Sequence, residues 1–173
     1  MRLVALAAAA LIATGPAAAA GSPVEAARPD SVVDAVREAG FRAQLTEDDY
    51  GDPMIETSMA GVDILILFYD CQAHAACESL QLSAGFDREN PMLTQRVEEW
   101  NAARRFGTVS LDEEGDPYLR WDVVTKGGIS FEAFESTLRG YESTIGEFAT
   151  FVFEDDVTDA DAVSSSAAET IRL

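Results

Sequence analysis

Cys71, His74 and Cys77 are the residues of this 173-residue chain whose types and spacing best suit chemistry. They recur at intervals of three residues, and thiolate and imidazole groups are zinc ligands as well as participants in thiol chemistry. The trio has three interpretations: a structural disulfide between the cysteines, a redox-active thiol pair, and a metal site completed by the histidine.

The disulfide is the interpretation that the sequence favours. A redox pair usually has two intervening residues and a helix N-terminus, whereas five residues separate Cys71 from Cys77. A zinc site needs a fourth ligand, and His74 is the only histidine of the chain. Closing so short a loop contributes about 2 kcal/mol to stability on the chain-entropy estimate. The alternative is a metal- or thiol-dependent envelope enzyme centred on Cys71, His74 and Cys77.

Two acidic clusters, at 48–53 and 112–117, offer oxygen ligands, but neither has the residue order of a calcium-binding EF-hand loop. Carboxylate pairs such as Glu113 and Asp116 serve acid-base catalysis only where burial or crowding shifts a pKa, and a hairpin tip is solvated. The sequence also contains no G-x-S-x-G motif and no glycine-rich phosphate loop. We therefore interpret both clusters as turns, and we expect no catalytic residue, no metal and no cofactor.

The N-terminus predicts a secretory signal over residues 1–20. Met1 and Arg2 form a short positive region, residues 3–13 are apolar, and small residues precede an expected cleavage between Ala20 and Gly21. The apolar stretch is shorter than the roughly 20 residues that cross a bilayer, and no cysteine at the cleavage point can take a lipid. We expect a periplasmic protein without a membrane anchor, with secretion to the medium as the alternative. An oxidising compartment favours the disulfide.

The charge of the chain restricts its partners. Lys and Arg number 12 and Asp and Glu 31, and because the signal removes Arg2, the mature chain carries 11 − 31 = −20. Nucleic acids and anionic lipids bind to clustered basic residues, so this acidic chain would repel them. A cationic or mixed-charge protein partner suits the chain instead. Beyond the signal we expect a linker over 21–29, one domain over 30–153 and a disordered acidic tail over 154–173.

The acidic turns lie 64 residues apart, by subtraction of 51 from 115, and their alignment predicts a repeated unit of helix, strand, turn and strand. In the first unit we expect Ser31 to cap the helix and Gly40 to end it. In the second unit we expect Asn90 to cap the helix and Pro91 to take its first position. Residues at spacings of three and four predict one face of that second helix: Leu93, Val97, Trp100 and Arg104.

Between the units, the apolar run 62–69 is typical of a fully buried strand, and 79–86 alternates apolar with polar residues. These segments predict a central hairpin whose connection carries both cysteines. Ser130 is expected to cap a long final helix with an apolar heptad seam: Phe131, Phe134, Leu138, Tyr141, Ile145, Phe148 and Val152. The seam either lies on the sheet or forms an interface with a second copy. Together these patterns predict an α+β domain with a mainly antiparallel sheet and helices packed on one face.

Four segments resemble the YbjN family of bacterial proteins: 61–69, 98–107, 111–117 and 127–130. The Trp100-Asn101 and Arg105-Phe106 pairs and the turn 112–117 carry most of the resemblance, which extends over 30–153. The family is described as sensory-transduction regulators, and its fold is similar to that of type III secretion chaperones, which dimerise and hold other polypeptides. The resemblance implies a non-enzymatic protein-binding module, chaperone-like or regulatory, with an unknown protein partner and a homodimer among its implied states. A purely structural envelope protein is a further alternative.

Overall fold

The computed structural model describes residues 22–170, with side chains over 22–154. The expected signal, with its cleavage point at Ala20 and Gly21, lies outside the described residues. The elements in chain order are α1 (Pro29–Glu38), β1 (Gln44–Glu47), β2 (Pro53–Met59), β3 (Val62–Tyr69), β4 (Ser79–Gly85), α2 (Thr94–Ala103), β5 (Thr108–Leu111), β6 (Pro117–Val124) and α3 (Phe131–Thr170).

The strands form one antiparallel sheet in the order β1-β2-β3-β4-β6-β5. The segments α1-β1-β2 and α2-β5-β6 each consist of a helix followed by a hairpin, so the predicted repeated unit is confirmed. The two hairpins lie at opposite ends of the sheet, and β3 and β4 lie between them. The fold is therefore the α+β arrangement that the sequence predicts.

The two acidic turns share one geometry, which explains why their sequences match. The Asp48 N–H donates to the Asp52 carbonyl at 2.9 Å, and the Asp48 Oδ1 accepts the N–H groups of Tyr50 and Asp52. Asp112 repeats these bonds with residues 114 and 116. Each loop then closes through a glycine in the left-handed region, at φ +87° and +86°. Both are three-residue hairpin loops, as the acidic residues and glycines predict.

Helices α1 and α3 cover one face of the sheet, and the core lies between these helices and the sheet. Alternation along the strands directs Ile64, Ile66 and Phe68 of β3, and Leu80 and Leu82 of β4, toward the helices, where all five are buried. Each fully buried side chain of this size contributes roughly 1.5–3 kcal/mol to stability. The covered face therefore holds the sheet and the helices together.

The apolar seam of α3 faces this core. Its members from residue 134 onward have no exposed surface: Phe134, Leu138, Tyr141, Ile145, Phe148 and Val152. Phe131 is half-buried and packs against the same cluster. The Tyr141 hydroxyl donates to the Leu119 carbonyl at 3.0 Å, which ties the helix to β6. Because these side chains already pack within their own chain, the seam lies on the sheet and is not an interface for a second copy.

The starts of α1 and α2 differ from the sequence predictions. Helix α1 begins at Pro29, so Ser31 lies inside the first turn, where its hydroxyl accepts the Glu25 N–H at 3.1 Å and donates to the Arg28 carbonyl at 2.7 Å. Ser31 is therefore not the helix cap. Gly40 follows α1 with φ +90°, as expected for a residue that ends a helix.

Helix α2 begins at Thr94, so the prediction that Asn90 caps it and Pro91 opens it is wrong. Pro91 packs instead on the second acidic turn, where a Cβ added to Gly115 would lie 2.5 Å from the Pro91 Cβ. The Met92 N–H donates to the Gly115 carbonyl at 3.0 Å, which holds this segment outside the helix. Of the predicted apolar face, Trp100 is buried, Val97 is half-buried, and the other two members are exposed: Leu93 and Arg104.

Both ends of the expected domain are longer in the structure. Within the expected linker, Val24 is buried and bridges Ile129 through two backbone hydrogen bonds of 2.9 and 3.1 Å, so this segment is part of the fold. At the other end the backbone of α3 is helical as far as Thr170, over part of the segment expected to be disordered. Since side chains are described only to residue 154, the disorder of the tail stays a prediction.

Candidate protein-binding face

Among the described residues, no helix packs on the second face of the sheet, which we call the open face. Strand β3 directs Asp63, Leu65, Leu67 and Tyr69 toward it, because successive side chains alternate between faces. The prediction that 62–69 is buried on both faces is therefore wrong. Leu65 is 39% exposed and Tyr69 is 45% exposed.

Met54 of β2 lies opposite Leu67 of β3 and extends the apolar part of the open face. We define the apolar strip as Met54, Leu65, Leu67 and Tyr69. Isolated exposed apolar side chains are ordinary on protein surfaces, whereas contiguous ones mark binding sites. The apolar strip is thus a candidate contact surface for another polypeptide.

Carboxylates border one end of the apolar strip. Asp48, Asp49 and Asp52 of the first turn, which we call the acidic rim, line a groove of about 410 Å³ together with the strip. Tyr50, 84% exposed, stands at the same groove. An apolar floor beside three carboxylates suits a segment that combines apolar side chains with lysine or arginine.

A second groove of about 410 Å³ continues across the open face. Its lining includes Leu65, which also lines the first groove, together with Asp63, Ser83 and Tyr118. The Tyr118 ring lies against Gly85, where an added Cβ would be 2.5 Å from the ring. Two more carboxylates border the second groove: Asp87 and Asp116. The two grooves therefore form one extended surface with carboxylates at both ends.

The basic side chains of the open face already have contacts. The Arg120 guanidinium donates to the Ser110 hydroxyl and lies 4.9 Å from the centre of the Tyr118 ring. The Arg42 Nη2 donates to the Ser58 hydroxyl at 3.2 Å. These contacts leave the grooves with a predominantly acidic border.

The loop between β3 and β4 contains Cys71, His74 and Cys77, the trio whose residue types suit a disulfide, a redox pair or a metal site. Cys71 and Cys77 form a disulfide, and the His74 Nδ1 lies 2.9 Å from Oδ1 of Asp52, a member of the acidic rim. The loop and the first turn are thus in contact. His74, with φ +62°, has the left-handed backbone that a loop this tight requires.

The structure does not assemble the trio into a reactive centre. Both thiols are used by the disulfide, and the imidazole is directed toward a carboxylate of another hairpin. Within the described part of the chain, no group of three or more His, Cys, Asp and Glu residues is placed to hold a metal ion. Within the described residues, the trio is therefore used by a disulfide and by a contact between two hairpins.

The sequence of residues 28–154 matches the family YbjN, described as "Putative bacterial sensory transduction regulator". The match covers both repeated units, the central hairpin and the described side chains of α3. The chain belongs to the YbjN family. This membership confirms the resemblance found in the sequence, and the description of the family is that of a regulator and not of an enzyme.

A solved structure supports the YbjN fold. The crystal structure titled "YbjN, a putative transcription regulator from E. coli" superposes with a TM-score of 0.57, covering 76% of this chain and 93% of that chain. The two sequences are 17% identical, so the likeness shows a shared fold. A search among curated proteins gave no match. Over the residues that the structure describes, no helix is long and apolar enough to cross a membrane.

Sequence reasoning placed the candidate interface on α3 and missed the apolar strip. The reason lies in β3, where Leu65 and Leu67 alternate with Ile64, Ile66 and Phe68, so both faces of the strand are apolar and no alternation is visible. Asp63 was the one polar signal that this strand has a solvent-exposed face. The predicted cleavage residues, Ala20 and Gly21, lie outside the described chain.

Proposed function

We propose that this YbjN-family protein is an exported, non-enzymatic module that binds a polypeptide segment on the open face of its sheet. The observation that carries the proposal is the apolar strip beside the acidic rim. The strip offers contiguous half-exposed apolar surface, and the rim adds carboxylates within the same groove. A family described as a regulator is consistent with a protein that acts by binding.

The charge of the chain defines the chemistry of the partner. The full chain carries a formal charge of −19, and the border of both grooves is acidic. A segment with lysine or arginine next to aliphatic or aromatic residues would pair with the rim and bury its apolar side chains on the strip. Electrostatic attraction of this kind mainly accelerates association and weakens with salt.

Export is supported by the signal sequence predicted over residues 1–20 and by the disulfide. Oxidising compartments outside the cytoplasm are where disulfides persist. Mass spectrometry of the protein from a periplasmic fraction tests this part of the proposal. We expect a mature chain that begins at Gly21 with no free thiol, and an unprocessed chain confined to the cytosol would contradict export.

Binding can be tested with a random peptide library displayed on phage. We expect selected peptides to combine basic with aromatic or aliphatic residues, and their affinity to fall as salt rises. Leu65→Asp places a charge at the residue shared by both grooves and should weaken binding at least about tenfold.

Leu93→Asp is the matched control, because Leu93 is also exposed, at 71%, and lines neither groove. This variant should bind the selected peptides like the wild type. Selection without enrichment, or a Leu65→Asp variant that binds as well as the wild type, would refute the proposal.

A further inference from the structure

The two edges of the sheet, β1 and β5, occupy equivalent positions in the two repeated units. The offset of 64 residues places Leu45 opposite Val109 and Arg37 opposite Asn101 (45 + 64 = 109; 37 + 64 = 101). Edge strands present unpaired backbone groups, which proteins usually cover or block. Because the two edge strands are equivalent, the contacts that cover β5 can be compared directly with those that cover β1.

The β5 edge is blocked by a side chain. The Asn101 Nδ2 donates to the Val109 carbonyl at 3.0 Å, and the Val109 N–H donates to the Asn101 Oδ1 at 2.8 Å. The side-chain amide of Asn101 thus makes the pair of hydrogen bonds that another strand would make. We call this arrangement the Asn101 clamp.

The β1 edge has no such clamp. Arg37 stands in place of the asparagine, and its Nη2 donates to the Ala43 carbonyl at 2.8 Å. In an antiparallel pair, opposite residues alternate between hydrogen-bonded and non-hydrogen-bonded positions. Because Asp48 and Asp52 are hydrogen-bonded to each other, the N–H and carbonyl groups of Leu45 and Glu47 point away from β2. In the part of the chain that the structure describes, nothing hydrogen-bonds to these outward groups.

The charges along β1 are self-complementary. Arg42 precedes the strand and Asp48 follows it, and both lie on the open face: Arg42 reaches Ser58, and Asp48 lines the groove beside the apolar strip. An antiparallel copy centred on Leu45 would place Arg42 opposite Asp48 of that copy, because 42 + 48 equals 45 + 45. The same register sets the exposed Leu45 side chains, 42% exposed in the single chain, against each other.

We propose that two copies of the chain pair β1 to β1, antiparallel, across a two-fold axis at Leu45. The result is one continuous sheet of 6 + 6 = 12 strands. The two Leu45 residues exchange a pair of hydrogen bonds. Each Glu47 lies opposite Ala43 of the copy, whose carbonyl is released for this bond when the Arg37 side chain moves aside. Two Arg42–Asp48 ion pairs and the Leu45 contact complete the interface.

A second copy is the occupant, because Arg42 and Asp48 lie at equal distances from Leu45, so an identical antiparallel strand presents the opposite charge at both ends. The pairing goes beyond the proposed function: it leaves the apolar strip and the other two rim carboxylates free and uses only Asp48 of the acidic rim.

Leu45→Pro tests the pairing without breaking the hairpin. Proline lacks the N–H that points outward at this position, and prolines are tolerated on edge strands in that orientation. Analytical ultracentrifugation of the purified protein over a range of concentrations should show a monomer–dimer equilibrium for the wild type. Leu45→Pro should be monomeric, and Leu45→Val, which keeps the N–H, should still dimerise.

A charge reversal covers the case in which the proline variant does not fold. Arg42→Glu places like charges opposite each other and should raise the dimer dissociation constant at least about tenfold. Arg105→Glu makes the same charge change at an exposed arginine outside β1 and should leave the constant unchanged.

Amide hydrogen exchange gives a residue-level readout of the same equilibrium. The Leu45 and Glu47 amides should exchange more slowly as concentration rises, whereas the Thr46 amide, bonded within the hairpin, should not change. A wild type that is monomeric at all concentrations, a dimer that survives in Leu45→Pro, or a monomer that captures an extended peptide at β1 would overturn the proposal. Peptide binding at the apolar strip is measured separately, so this failure is distinguishable from failure of the proposed function.

Discussion

Replacing Asn101 by alanine tests whether the Asn101 clamp stabilises the fold. Both hydrogen bonds of the clamp end on Val109, whose surface is only 3% exposed. Asn101 itself is exposed and covers the Val109 N–H and carbonyl at the sheet edge, so the truncation removes their protein partner. The Ala variant should be less stable than the wild type.

The expected loss follows from two opposing contributions. Each neutral hydrogen bond contributes about 0.5–1.5 kcal/mol, so loss of the pair costs about 1–3 kcal/mol. Residue 101 lies within α2, where alanine is a better helix former than asparagine by roughly 0.5 kcal/mol. The free energy of unfolding should fall by about 0.5–2.5 kcal/mol. Without a contribution from the clamp, the sign reverses and Asn101→Ala is the more stable protein.

Urea unfolding measures the global change, and amide exchange locates it. Exchange at Val109 should accelerate about tenfold for each 1.4 kcal/mol lost locally, while Ser110, bonded in the ladder, stays protected. Glu98→Ala, at an exposed position of α2, is the control and should change stability by a few tenths of a kcal/mol. An Ala variant at least as stable as the wild type, or unaltered exchange at Val109, would refute the role assigned to Asn101.

Three further predictions concern the core and the loop. Tyr141→Phe removes a buried hydrogen bond and should lower the free energy of unfolding by about 1 kcal/mol in urea; an unchanged midpoint would contradict this. Burial raises the pKa of the Tyr141 hydroxyl, against the opposing charge of Arg120, so the wild type should lose stability above pH of about 10, where only the unfolded chain ionises. The difference in the free energy of unfolding between the wild type and Tyr141→Phe should therefore become smaller in urea titrations at alkaline pH. The double variant Cys71→Ser, Cys77→Ser should lose about 2 kcal/mol, and reductant should then affect only the wild type.

The repeated unit could be predicted from sequence because its signals are local. Each acidic turn needs an aspartate that accepts backbone N–H groups and a glycine at positive φ, and both requirements are visible in the residue types. The burial of the α3 seam was also implied by its spacing. Spacing alone could not distinguish a seam on the sheet from one between copies, because both bury the same residues.

The helix starts and the candidate face depended on tertiary contacts that no local pattern shows. Asn90 and Pro91 have the residue types of a helix start, but packing of Pro91 on Gly115, far along the chain, keeps the segment extended. The Asn101 clamp was likewise invisible, since Asn101 and Val109 become partners only when α2 turns back along β5. The apolar strip could not be predicted from the sequence because β3 is apolar on both faces.

The strand order also has a consequence for the route by which the chain folds. Within the described sheet, every pairing except β4–β6 joins strands that are consecutive in sequence. That exception connects Gly85 with Tyr118 and Ser79 with Val124, across 118 − 85 = 33 and 124 − 79 = 45 residues. Closing such a loop costs roughly 3 kcal/mol of chain entropy before any contact compensates it. We expect this closure to limit the folding rate, so Leu119→Ala should slow refolding more than Ile55→Ala in stopped-flow experiments.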